Sequence, residues 1–265
     1  HLDMTKKLLP SLNELIKEIN IKSEKIKGTI KTGRTHLMDA MPIDFSDELS
    51  AWSSQLESSK ENLIVLSKKL LELPQGGTAV GSGINAHKQF SKYFAQEVTK
   101  LTGNKYKFIS SNNFYHELSA QDCSVQLSGE LKNLAIILTK ISNDLRWMNS
   151  GPLSGLSEIE LKALQPGSSI MPGKINPVIP EAVAMASADV IGNDVSISVA
   201  AQSGSFQLNV MLPVIAYNLL KSINLLSGAM NALSKKAIRT FKVNHKNLED
   251  SLSKNPILVT ALNPI

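Results

Sequence analysis

The sequence predicts an all-α chain of long helices, and three observations carry that expectation. Apolar residues recur at steps of three and four along most of its length. Aromatic residues make up only 5%, so aliphatic side chains must fill the core. No segment alternates polar and apolar residues well enough to read as a strand, and no repeat of fixed period stands out. With 265 residues, 42% of them hydrophobic and 19% charged, the composition is that of a folded protein with room for one large domain or two modest ones.

The first helix is expected over about residues 4–27, where Leu12, Leu15, Ile16 and Ile19 share one face. Pro10 lies near its start, where proline costs least, or marks a kink. A second is expected over about residues 46–73. Asp47 and Glu48 lie in its first turn, Leu63, Leu66, Leu70 and Leu73 line one face, and Pro74 ends it. The longest should cover about residues 117–149, because Leu127, Leu131, Leu134, Leu138, Ile141, Leu145 and Met148 alternate steps of four and three. Such a stripe is the seam of helices packed at shallow angles. Two further helices are expected over residues 177–201 and 213–240, the first apolar on several sides, with Ala182, Ala184, Ala186 and Ala188 permitting close approach. Helices of this length exceed the average of about 11–12 residues, and more than one apolar face suggests a multi-helix core shared between chains.

Net charge is +5 and the sequence pI about 9.1, but the lysines are scattered singly or in pairs without an arginine cluster or aromatic platform, so no nucleic-acid partner is expected. The single cysteine, Cys123, excludes an internal disulfide, suits a reducing compartment and is expected to be a buried or half-buried structural thiol. Nothing in the first residues reads as a signal or transit peptide. The longest nearly uncharged stretch, residues 210–220, is too short to span a bilayer, so a cytoplasmic location without a membrane partner is expected. His87, His116 and His245 lack a second ligand at metal spacing, and the glycine run at 77–83 has no strand before it to make a dinucleotide site, so neither metal nor cofactor is implied.

Three loops carry residues that propensity alone would not choose: Gly33-Arg34-Thr35-His36, residues 76–83, and residues 166–177. The last reads Pro-Gly-Ser-Ser-Ile-Met-Pro-Gly-Lys-Ile-Asn-Pro. Its backbone amides, the Lys174 ammonium and the Asn176 amide could converge on an anion, although by composition alone it reads equally as a flexible connection.

These runs together resemble the fumarase/aspartase superfamily. Residues 166–177 are similar to its signature loop, and Gly33-Arg34-Thr35-His36-Leu37 to a second shared region. Gly77-Thr78-Ala79-Val80-Gly81 with Asn85 resembles a fumarase-type glycine loop. Arg146-Trp147 with Ser150-Gly151-Pro152, Gly192-Asn193-Asp194, Leu208-Asn209-Val210 and Val259-Thr260-Ala261-Leu262-Asn263 follow in the family's order, so the likeness covers nearly the whole chain. Met171-Pro172-Gly173-Lys174 departs from the argininosuccinate and adenylosuccinate lyase patterns. His36 and Gly173 stand where aspartases usually carry glutamine and alanine, which favours class II fumarase over aspartate ammonia-lyase. A non-catalytic helical oligomerisation scaffold is a third reading.

The resemblance implies a long-helix bundle forming the core of a homotetramer, with active sites shared between subunits. It also implies reversible trans addition of water to fumarate to give L-malate, with no cofactor. By the same resemblance Ser168 is the general base, and Lys174 and Asn176 bind the substrate carboxylate. Thr35 binds substrate from the opposite face, and His36 serves the hydroxyl or its water, with Glu181 paired to its other ring nitrogen. Taken alone, His36 reads as an ordinary polar histidine and Glu181 as a favourable first-turn carboxylate. Arg34 is expected to be structural, paired with a carboxylate. Two departures bear on activity. Asn113-Phe114-Tyr115-His116 lacks the family's customary lysine and glutamate. Residues 1–265 also correspond to the central helical domain without the family's amino-terminal Ser-Ser-Asn loop or its carboxy-terminal domain, so this stretch alone is expected to turn over little or not at all.

Overall fold

Apolar steps of three and four do become helices, and short strands join their ends. The computed structural model describes residues 1–171 and 173–255. In chain order the elements are α1 (Leu9–Ile26), β1 (Ile30–Thr35), β2 (Met38–Asp44), α2 (Phe45–Lys69), β3 (Glu72–Leu73), α3 (Phe90–Leu101), β4 (Ile109–Ser110), α4 (Phe114–Ser119), α5 (Asp122–Met148), β5 (Ile159–Glu160), α6 (Val178–Ala201), α7 (Leu212–Leu233), β6 (Lys242–Val243) and α8 (His245–Ser253). The strands pair as three two-stranded sheets, β1 with β2, β3 with β4 and β5 with β6. The all-α expectation therefore holds for the architecture.

The described residues divide into two compact units, residues 1–10, 59–135 and 187–227 in the first, and residues 11–58, 136–171, 173–186 and 228–255 in the second. The first unit buries Leu63, Leu127, Leu131, Leu134, Val190 and Leu226, with Ile197, Ala200 and Ile215 forming a cluster that Met211 and Leu219 flank. Its buried Asp194 accepts hydrogen bonds from Ser128 Oγ and Lys132 Nζ, each at 2.6 Å. The second unit buries Leu12, Leu15, Phe45, Trp52, Leu138, Ile141, Leu145, Met230 and Phe241. There the Arg239 guanidinium bonds Glu18 at 2.8 and 2.9 Å and holds its carboxyl below the usual range. All seven residues of the α5 stripe are buried, as their spacing demands.

The boundaries differ from expectation for identifiable reasons. A π turn, Met4–Leu8, leads into α1, so Pro10, which donates no hydrogen bond and would crowd a regular turn, follows where the helix is widened. Helix α2 stops at Lys69 rather than residue 73, because Glu72 and Leu73 pair in parallel with Ile109 and Ser110. The helix expected from residue 117 is two helices: Ala120 is extended (φ −111°, ψ 152°), and α5 opens afresh at Asp122. Helix α7 ends at Leu233 and a second π turn, Ser234–Ile238, continues it. The largest departure is at residues 30–44, expected to hold a loop and in fact a β-hairpin.

Among the described residues α6, not residues 210–220, is long and apolar enough to cross a membrane. Its Asp189 and Asp194, however, are paired with Lys221 and Lys132 within the first unit, so the charges along it are met by protein.

Candidate active site

The hairpin carries the first candidates. Its strands are joined by His36 and Leu37, whose φ values are +55° and +60°. Positive φ at both central residues marks a type I′ turn, the connection that matches strand twist and ordinarily takes Asn-Gly. Histidine and leucine pay a steric cost there, so the surrounding structure must impose the turn. Thr35, His36 and Leu37 are all exposed.

Charge holds the strand behind this tip. Lys31, with a buried side chain, donates to Glu48 Oε2 at 2.8 Å and to Met148 Sδ at 3.6 Å, and lies 4.7 Å above the Phe45 ring. Its ammonium is also 2.7 Å from the buried Glu158 Oε2, a charge contact without the alignment of a hydrogen bond. The other oxygen of Glu158 accepts from Arg34 Nη1 at 2.6 Å, so Arg34 pairs with a carboxylate as expected. At the hairpin base Asp44 accepts from the Ser46 and Gly28 amides, both at 2.8 Å, which hold its carboxyl below the usual range and cap α2.

The second group lies on the loop before α6. Gly167 passes so close to the returning chain that a Cβ there would lie 1.9 Å from the Lys174 carbonyl oxygen, so no other residue fits without opening the loop. Asn176 Nδ2 donates to the Gly167 carbonyl at 3.0 Å and closes the same ring of backbone. Inside it Ser168 Oγ accepts from the amides of Ile170 at 3.2 Å and Met171 at 3.1 Å. Two N–H groups aimed at one hydroxyl oxygen favour negative charge on it. Lys174 is exposed, and among the described residues no carboxylate lies within ion-pair distance of it. Pro166, Gly167, Ser168, Met171, Gly173 and Lys174 line an open hollow of about 490 Å³. Pro172 lies outside the described residues, as does the expected Val259–Asn263 match.

Ser168, Lys174 and Asn176 thus share one loop, Thr35 and His36 share one hairpin tip, and Glu181 stands half-buried in the first turn of α6. Among the described residues of one chain no hydrogen bond or ion pair joins His36 to Glu181. The strained turn leaves the histidine exposed, and among the described residues no hydrogen bond or ion pair joins it to the loop. Sequence reading missed Glu158 and Lys31. A lone glutamate after a serine- and glycine-rich stretch carries no signal, and a lysine in a strand reads as solvated. Cys123 is half-buried as expected, its thiol pushed up by burial. Among the described residues no group of three histidine, cysteine or acidic side chains has the geometry to hold a metal ion.

Comparison with known proteins adds four findings. The fumarate hydratase class II 2 of Pseudomonas aeruginosa is 54% identical over 264 residues, covering all of this chain and 57% of its own length. The fumarate hydratase class II of Xylella fastidiosa (strain Temecula1) is 54% identical over 259 residues, 98% of this chain and 54% of its own. The chain therefore spans little more than half of these relatives. The class II fumarase structure from Schistosoma mansoni superposes with a TM-score of 0.96 at 36% identity, over 98% of this chain and 57% of that one. A family model described as a lyase matches residues 1–192. The chain therefore belongs to the lyase family, and its fold is that of the class II fumarases.

Proposed function

We propose that residues 1–265 form the central helical domain of a class II fumarate hydratase, which adds water to fumarate in trans to give L-malate and runs the reverse elimination. The observation that carries this reading is the cradle at Ser168. A serine hydroxyl becomes a base strong enough for a carbon acid only if its oxyanion is stabilised, and here two loop amides point at Oγ within 3.2 Å. The relatives named above support the same reaction.

In the elimination direction the Ser168 oxyanion takes a C3 proton of malate. The electron pair moves into the adjacent carboxylate, giving an aci-carboxylate. Lys174 and Asn176 hold that carboxylate as charge accumulates, and Thr35 binds from the opposite side. The C2–O bond then breaks, and His36 supplies a proton to the departing hydroxide, directly or through a water, with Glu181 fixing its tautomer. Among the described residues no hydrogen bond or ion pair joins the hairpin tip to the loop, which supports a site assembled from several copies. The exposed apolar side chains of α6 and α7, Val195, Val199, Tyr217 and Leu220, support a homotetramer packed through that surface. A single half-buried free thiol fits a cytoplasmic protein.

The test gives the full-length protein L-malate or L-aspartate and follows fumarate by its ultraviolet absorbance. Release from malate alone is expected. Ser168→Ala should lower turnover about 10²–10⁴-fold while leaving the unfolding midpoint in place. Release from aspartate would make the protein an ammonia-lyase, and release from neither would leave a helical scaffold.

A further inference from the structure

Lys31 and Arg34 stand three residues apart on β1, where side chains of a regular strand point to opposite faces. Both nonetheless reach one carboxylate, Glu158, at 2.7 and 2.6 Å. The hairpin register shows how. Thr32 pairs with Pro42 and Arg34 with Asp39, so Gly33 alone stands opposite Ala40 and Met41. That two-against-one arrangement is a β-bulge, which bends the ladder and raises its local twist. A Cβ at Gly33 would lie 2.6 Å from the Met41 carbonyl oxygen, so the bulge requires glycine. Beyond it come Thr35 and the strained His36-Leu37 turn.

Glu158 is well placed to act as a fixed post. Its amide donates to the Met148 carbonyl at 2.7 Å, its carbonyl accepts from the Asn244 amide at 2.9 Å, and its side chain is 3% exposed. A buried ion network of this kind is weak evidence for stability, because apolar packing usually serves as well. It does fix geometry: one carboxylate shared by cations on either side of the bulge sets the twist at Gly33, and the twist sets where the tip points.

We propose that Glu158, acting through Lys31 and Arg34 across the Gly33 bulge, is a positioning residue for Thr35 and His36. It holds the turn in its left-handed conformation and orients both side chains for the reaction proposed above, on which the catalytic part of this inference rests. Misplacing a reacting group by about 1 Å costs on the order of a hundredfold in rate.

The test compares the full-length protein with Glu158→Gln and Arg34→Gln. Arg34→Gln leaves the Lys31–Glu158 contact intact and serves if the buried change impairs folding. Amide hydrogen exchange should speed up selectively at residues 33–37 in either variant. In the hydratase assay kcat should fall about 10–100-fold with KM within about threefold. Unchanged protection at residues 33–37 would overturn the proposal, as would a lowered melting temperature with native kcat. If the unaltered protein releases no fumarate from malate, the functional reading fails by itself. The hairpin exchange then decides the positioning claim alone, faster exchange supporting it and unchanged exchange overturning it.

Discussion

The hairpin tip and the loop before α6 carry the two halves of the candidate site, and they are built by opposite means. The loop is self-contained: Ser168, Ile170, Met171, Gly167 and Asn176 bond one another within ten residues of chain. The tip's local support is the hairpin ladder, in which Thr35 pairs with Met38 and Arg34 with Asp39. Its turn residues adopt a conformation they disfavour, and partners distant in sequence, Glu48, Met148 and Glu158, grip the strand behind them. A locally bonded loop keeps its shape when the surrounding protein loosens, whereas a remotely clamped turn depends on packing. The loop should therefore be sensitive to its own glycine and insensitive to distant core changes, whereas the tip should respond to both.

Paired glycine substitutions test that contrast most severely. Gly167→Ala drives a methyl group into the Lys174 carbonyl and should open the loop, lowering turnover by about a hundredfold. Because the loop lies at the surface, the urea unfolding midpoint should hardly move. Gly33→Ala places its methyl against the Met41 carbonyl inside the clamped hairpin, so it should cost about 1–3 kcal/mol of stability as well as activity. Equal stability losses in the two variants would erase the distinction. A smaller effect of opposite sign is expected at Leu37, which is 63% exposed and loses little packing when truncated. Leu37→Gly removes the left-handed penalty and should raise stability by about 0.5–1 kcal/mol in urea unfolding, after allowance for the greater freedom of unfolded glycine. If strain at the turn serves to aim His36, kcat should fall even as the fold gains stability.

Legibility followed the same division. The α5 stripe was readable because burial imposes a period on a single helix, and all seven apolar residues are buried. The loop stood out as a candidate anion site because its donors are adjacent in sequence, although its composition reads equally as a connection. The hairpin was not readable as strands. β1 carries a buried lysine and a glycine, β2 contains Pro42, and none of these is a strand signal. Lys31 is buried only because Glu48 and Glu158 meet it, and those partners lie 17 and 127 residues along the chain. The split between α4 and α5 was hidden likewise, since the residues around Ala120 continue a helical pattern and only the extended backbone at Ala120 reveals the break.

That α4–α5 corner supplies the smallest expected effect and a counterpart to the buried clamp. His116 Nε2 lies 2.8 Å from Asp122 Oδ2, and Nδ1 is 3.3 Å from Glu117 Oε1, an imidazole that when protonated is a cation between two carboxylates, as Glu158 is held between two cations. Here, however, the imidazole is 49% exposed, against 3% for Glu158. The hydrogen bond to Asp122, followed by the charge of Glu117, raises His116 above its ordinary value near 6.5. The folded corner thus holds a proton more tightly than the unfolded chain. Its contribution is complete below about pH 6.5 and fades as pH rises through the raised folded value. His116→Gln should remove that dependence, seen as a smaller change in urea midpoint between about pH 5.5 and about pH 8.5 than the unaltered protein shows. Because the pair is open to solvent, adding salt should shrink the difference further, while the hairpin clamp, shielded from ions, should respond little. A His116 contribution that grows with pH, or one indifferent to salt, would place this corner with the buried clamp and remove the contrast between them.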